Sequence, residues 1–244
     1  MKTRLLPLML PMAVCSIAYA NNPELDLTEV TIVNDVIYYK GVLSPEGNDL
    51  AFELYENAKE KPTTLAITSD GGDIMLGIEL GEWIYNNKMS VEVNDYCLSS
   101  CANYVFPSGK IKYISNRAII GFHGGATSEM FDMSEIDDML FSLPKKEREE
   151  EKRRLLSDMQ RYLKTAKAKE KEYFQKIKVN QTITTLGQDE KYSIYDTNRY
   201  SGWTYVPDDY TKLGVHNVIV KSPPWKLVQT DNKGFGKVFI VKVE

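Results

Sequence analysis

The sequence predicts an α/β fold with a largely parallel sheet, and three observations predict it. Residues 65–67 form a short, fully apolar run between two segments of helical period, the pattern of a strand covered on both faces. Strand-like and helix-like segments alternate from about residue 26 to residue 125, the order of a parallel sheet with helical crossovers. From about residue 130 the chain turns dense in Lys, Arg and Glu, which marks a long charged helical insertion.

Taken in order, the first twenty residues, MKTRLLPLMLPMAVCSIAYA, carry basic Lys2 and Arg4, an apolar stretch and a small-residue Ala18-Tyr19-Ala20 end. They read as a secretory leader cleaved after Ala20, with residues 21–244 as one domain. Residues 26–43 read as two β segments around an Asn34-Asp35 turn. Residues 47–60 are helical, with Leu50, Leu54 and Ala58 four apart and Ala51 and Tyr55 beside them. The apolar strand at 65–67 runs into Ser69-Asp70-Gly71-Gly72. Residues 74–86 form the next helix, with Ile74, Ile78 and Trp83 as buried candidates. A short strand at 90–93 leads to the turn Cys97-Leu98-Ser99-Ser100-Cys101, and a helix follows. Strands are expected at 112–114 and 118–123. The insertion at 130–180 is interrupted once, at Pro144. Strands at 216–220 and 237–243 close the chain.

The formal net charge is −4, and losing Lys2 and Arg4 with the leader makes the mature chain more acidic still. Such a chain gives no reason to expect nucleic acid or an anionic membrane as partner. Outside the leader no long apolar run exists, so a soluble mature protein is expected. Removing the leader's Cys15 leaves Cys97 and Cys101, an even pair whose compartment favours a disulfide. The loop it closes is very small, so its main effect is to fix local backbone. With two histidines and no second cysteine pair, no tetrahedral metal site is expected, and no cofactor.

Three pieces could carry chemistry together: Gly71-Gly72, Ser99-Ser100 and His123. Acyl transfer needs a nucleophilic hydroxyl, a base for its proton, and N–H donors for the developing oxyanion. A glycine pair lets backbone N–H groups approach a carbonyl, a serine at a strand-to-helix turn is exposed, and a histidine at a strand end can be the base. Each piece also has a plain reading: a tight turn, a helix N-cap, a structural histidine. His216, far from these motifs in sequence, reads as structural.

The segments LAITSDGGDIMLGIELGEWI, CLSSCANYVFPSG and AIIGFHGG, with GWTYVPDDYTKLGVHNV later, resemble the Clp peptidase and crotonase superfamily, most closely its secreted, periplasmic ClpP-like branch. The resemblance implies a ClpP/crotonase-like stacked ββα superhelix, with residues 130–180 in the place of a handle helix. It implies that Gly71 and Gly72 supply one oxyanion donor, the residue after the nucleophile the other, and His123 the base. For the nucleophile, cysteine spacing points to Ser99. Counting nine residues back from Gly109 points instead to Ser100, with Cys101 as the second donor, and this count favours Ser100. Ser201 stands where the family places an acid, which leaves Asp196 as the nearest preceding carboxylate and Asp189 more remote. The expected function is a periplasmic serine hydrolase, a peptidase acting on peptide or protein through a Ser–His dyad or triad. The alternative is a catalytically inactive binding or scaffold protein. Chemistry on coenzyme A thioesters is disfavoured, because the leader sends the chain away from that cofactor. A homo-oligomer is implied by the resemblance, and no ATPase partner is expected in a compartment without ATP.

Overall fold

Asn34 takes a left-handed φ of 56°, and this lets the expected hairpin close between β1 (Glu29–Val33) and β2 (Val36–Lys40). The computed structural model describes residues 28–128, 133–195, 200–229 and 236–244; the expected leader and Asp196 lie outside them. After the hairpin come α1 (Pro45–Asn57), β3 (Thr64–Ser69), α2 (Ile74–Asn86) and β4 (Ser90–Leu98). A π-helical turn (Cys101–Val105) continues as α3 (Phe106–Ser108), followed by β5 (Lys112–Ser115) and β6 (Ile119–Gly121). The insertion holds α4 (Met133–Met139) and α5 (Lys145–Ile177). Three short 3₁₀ turns lead to β7 (Tyr200–Tyr205), α6 (Asp209–Lys212), β8 (Val218–Lys221) and β9 (Lys237–Val241).

Apart from the β1–β2 hairpin the main sheet is parallel, in the order β1-β2-β3-β4-β5-β8. It forks at β4. Val91–Val93 pair with β5, whereas Tyr96–Leu98 pair with β6. The fork coincides with a bulge, since Ile67 faces Val93 but Ser69 faces Cys97, two residues on β3 against four on β4. A bulge bends its strand, and this one turns the end of β4 out of the first arm. The second arm runs on through β6, whose following residue Phe122 exchanges both backbone hydrogen bonds with Trp203 of β7 (2.8 and 2.7 Å), and β7 pairs with β9.

The helices cover the sheet with the expected period but not always the expected stripe. In α1 the buried positions are Gly47, Asn48, Ala51 and Tyr55, while Leu50 is exposed. The stripe is rotated because Asn48 is held inward by the Leu76 carbonyl (3.1 Å) and Glu79 (2.9 Å), and Tyr55 packs edge-on against Trp83. In α2, Ile78 is buried as expected; Ile74 and Trp83 only flank the core, whose contact is made by Gly77, Leu80, Gly81 and Ile84.

The charged insertion divides into two halves. The first half of α5 lies in solvent and carries pairs such as Arg161–Asp158, each worth about 0.3–0.5 kcal/mol. Its last turns bury Ala166, Glu170, Tyr173, Phe174 and Ile177, one helical stripe. A fully buried aromatic contributes about 1.5–3 kcal/mol, so this stripe and not the ion pairs docks the helix. Tyr173 donates to the Tyr104 carbonyl and stacks edge-on with the Tyr104 ring, and Lys176 pairs with Glu82 of α2 at 3.2 Å. No helix among the described residues is long and apolar enough to cross a membrane.

Candidate active site

Ser99 sits where β4 ends and the π-helical turn begins, with a left-handed φ of 55°. That conformation is uncommon for a residue with a side chain and is found where the surroundings over-determine it. Here the Ser99 N–H donates to the Gly121 carbonyl (2.8 Å), its carbonyl accepts from Asn103 (2.9 Å), and the Cys97–Cys101 disulfide closes around it. The turn leaves Ser99 half-buried, with its Oγ 2.7 Å from Nε2 of His123 at the end of β6.

Ser100 does something else. It is 2% exposed and its Oγ donates to the Gly72 carbonyl at 2.8 Å. The expectation that favoured Ser100 as the residue meeting the histidine is therefore corrected to Ser99. The π-helical turn supplies the reason. Phe106 donates to the Cys101 carbonyl five residues back, so this turn holds one residue more than an α-helical turn. Counting from Gly109 without that extra residue lands one position late, on Ser100. The cysteine spacing, which ends at the first residue of the turn and so does not count across it, lands on Ser99. With Ser99 at the histidine, the amide following it is that of Ser100 instead of Cys101.

The glycine pair lies against the same turn. Gly71 has φ +93°, and a Cβ on it would come 2.6 Å from the Leu98 carbonyl, 2.7 Å from Ser99 Cβ and 2.9 Å from the Ser100 nitrogen. Only glycine fits so close an approach. Its N–H donates to Ser69 Oγ (3.1 Å) and its carbonyl accepts from Leu43 (2.7 Å), which fixes the pair's orientation. Beside it, burial pushes the Asp70 carboxyl up from its ordinary value, against the opposing effect of the Tyr96 hydroxyl. Asp73 caps α2 through Met75 and Leu76, and accepts from Tyr162 of α5 at 2.6 Å.

His123 is exposed at its outer edge, yet the protein packed around the ring lowers its pKa from 6.5, an effect partly offset by a hydrogen bond with its own backbone. A ring kept neutral near neutral pH can accept a proton. The loop after it is held from three sides. Asn103 donates to the Gly124 carbonyl (2.6 Å), Gln188 donates to the His123 carbonyl (3.3 Å), and Ser128 bridges Gly125 N–H (3.0 Å) and Gln188 Oε1 (2.9 Å). From inside, Glu170 accepts from the Ala126 N–H at 3.1 Å. Sequence reasoning missed Asn103, Gln188 and Glu170. A buried asparagine four residues after the serine was the one local signal; Glu170 comes from the last turns of the insertion and Gln188 from beyond it. Asp196 lies outside the described residues. Asp189 adjoins Gln188 on an exposed turn, and Ser201 lies exposed on β7 beside Gly236. His216 is exposed, and its carbonyl accepts from Lys112.

The forked sheet, with its two arms sharing β4 and helices returning between strands, is the stacked ββα plan that the sequence resemblance implies. No family model matches the chain, and no curated protein does. Among solved structures it has slight similarity to enoyl-CoA hydratases and a methylmalonyl CoA decarboxylase. One is an enoyl-CoA hydratase from Thermoplasma volcanium GSS1 (15% identity, TM-score 0.30, 38% of this chain and 49% of that one). A second enoyl-CoA hydratase, from Mycobacterium avium subsp. paratuberculosis K-10, is 13% identical, with TM-score 0.30 over 37% of this chain and 45% of that one. A methylmalonyl CoA decarboxylase is 8% identical, with TM-score 0.30 over 46% and 53%. The chain spans about half the length of the solved structures it matches. Overlaps this slight carry no argument about fold or chemistry.

Proposed function

We propose that this chain is a serine hydrolase, a peptidase of the oxidising periplasm, working through Ser99 and His123. The observation that carries the reading is the 2.7 Å contact between Ser99 Oγ and His123 Nε2, made by a serine held at left-handed φ against a glycine pair. In the proposed reaction Ser99 Oγ attacks the scissile carbonyl while its proton passes to His123. The oxyanion forms against the Gly72 and Ser100 amides, because the Gly71 N–H is held by Ser69. His123 then returns the proton to the leaving amine, and water repeats the sequence to release the acyl group. A hydroxyl set against an imidazole is what acyl transfer requires, which is why this reading is preferred to the coenzyme A chemistry of the similar structures. The proposal includes cleavage of the leader after Ala20 and self-association through the exposed half of α5.

The test is labelling of the oxidised protein with a fluorophosphonate probe, wild type beside Ser99→Ala, Ser100→Ala and His123→Ala. Loss of labelling in Ser99→Ala and His123→Ala, with labelling kept in Ser100→Ala, supports the reading. An unlabelled wild type with its disulfide intact would favour a non-catalytic binding or scaffold role instead.

A further inference from the structure

We infer that Glu170, on the docked half of α5, is a positioning residue that holds the loop after His123 and the helix after Ser99 in one fixed relation. The inference rests on the Ser99–His123 reading and names a residue outside its motifs. Glu170 is 0% exposed. One carboxylate oxygen, Oε1, accepts from the Tyr104 hydroxyl at 2.8 Å and from the Ala126 N–H at 3.1 Å. The other accepts from the Gln181 amide at 2.8 Å. Tyr104 lies on the helical run that starts just after Ser99, and Ala126 three residues after His123. The same oxygen thus joins the two segments whose relation sets the serine–histidine distance.

Burying a carboxylate is expensive, and a leucine or methionine would dock a helix at lower cost. A hydrocarbon could not accept from both segments at once. Gly125 is shaped for this approach, since a Cβ there would strike Glu170 Oε1. Tyr104 is fixed in turn by α5, because Tyr173 donates to its carbonyl, and α2 admits it closely through Gly77 and Gly81. Docking of α5 and alignment of the Ser99–His123 pair are therefore one arrangement.

The test reads His123 directly. The chain has two histidines, so an NMR titration resolves His123 with His216 as internal control. Wild type, Glu170→Gln and Glu170→Ala are titrated, and Ser99 labelling by the fluorophosphonate is timed in parallel. Glu170→Gln keeps an acceptor at Oε1 and is expected to behave as wild type. Glu170→Ala, confirmed folded by circular dichroism, is expected to shift the His123 midpoint toward the ordinary histidine value, leave His216 unmoved, and slow labelling by at least about tenfold. A folded Glu170→Ala with wild-type titration and labelling overturns the inference. If that variant does not fold, Tyr104→Phe removes one donor and keeps the packing. It is expected to change both readouts in the same direction by less, and wild-type behaviour in it overturns the inference equally. An unlabelled wild type would sink the hydrolase reading alone, because the titration needs no reaction.

Discussion

Ser100 donates its hydroxyl to the Gly72 carbonyl at 2.8 Å, so the two adjacent serines divide the work of the turn. Ser99 faces the histidine, and Ser100 ties the glycine pair to the start of the helix. Ser100→Ala is therefore expected to cost about 1 kcal/mol in urea unfolding, because the hydrogen bond from the buried Ser100 to the Gly72 carbonyl is lost. It should slow fluorophosphonate labelling without abolishing it, whereas Ser99→Ala abolishes labelling. Equal loss in both would mean that Ser100 takes part in the chemistry.

The lowered His123 pKa fixes the sign of two pH effects. Labelling of Ser99 needs the neutral ring, so its rate should hold as pH falls to 6.5 and drop only below, through the lowered midpoint. Between 6.5 and that midpoint the unfolded chain binds a proton that the folded chain does not, so this residue's contribution to stability falls as pH falls through the window. A labelling midpoint at or above 6.5 would contradict the desolvated ring.

The Cys97–Cys101 disulfide spans only four residues in sequence. Chain entropy for so small a loop amounts to about 2 kcal/mol, and the double substitution Cys97→Ala/Cys101→Ala should lower unfolding stability by about that amount. The larger expected effect is on labelling, because the left-handed backbone at Ser99 then loses one of its constraints. Thermal melting and labelling rates of the double variant measure the two effects separately. A wild-type labelling rate would reduce the clasp to a staple without a role in the site.

Lys112 is 6% exposed, and burial lowers its pKa from 10.5 to about 8. Its amine donates to the His216 carbonyl at 3.0 Å. The unfolded chain keeps its proton to higher pH, so stability should rise as pH goes from about 8 to about 10.5 and be flat for this residue below 8. Lys112→Met is expected to raise stability at pH 7 by up to about 3 kcal/mol and to remove that rise. Chemical denaturation at pH 7, 9 and 10 checks both.

Much of the fold was legible in the sequence because its signals are local. The apolar run at 65–67, the helical period of 74–86 and the turn at Asn34-Asp35 each state their own secondary structure. The rotated stripe of α1 was not legible. Leu50 is more apolar than Asn48, and only the partners on α2, the Leu76 carbonyl and Glu79, make the asparagine the buried one. In the site, Gly71, Gly72 and His123 were legible as residue types that acyl transfer needs. Asn103, Gln188 and Glu170 were not, because each acts through a hydrogen bond to a segment at least 21 residues away.

The sequence by itself determined the α/β class, the helical insertion and the three motifs that meet, since these follow from periodicity and residue chemistry over a few neighbours. Which serine meets the histidine was decided only by tertiary structure. The two counts along the chain disagree, the cysteine spacing on Ser99 and the glycine count on Ser100, and only the π-helical turn, which adds one residue to the helix, decides between them. The same holds for Glu170, a charged residue in a charged helix until the fold buries it. Burial and hydrogen bonding are properties of the assembled chain, and they made one carboxylate of that helix part of the core.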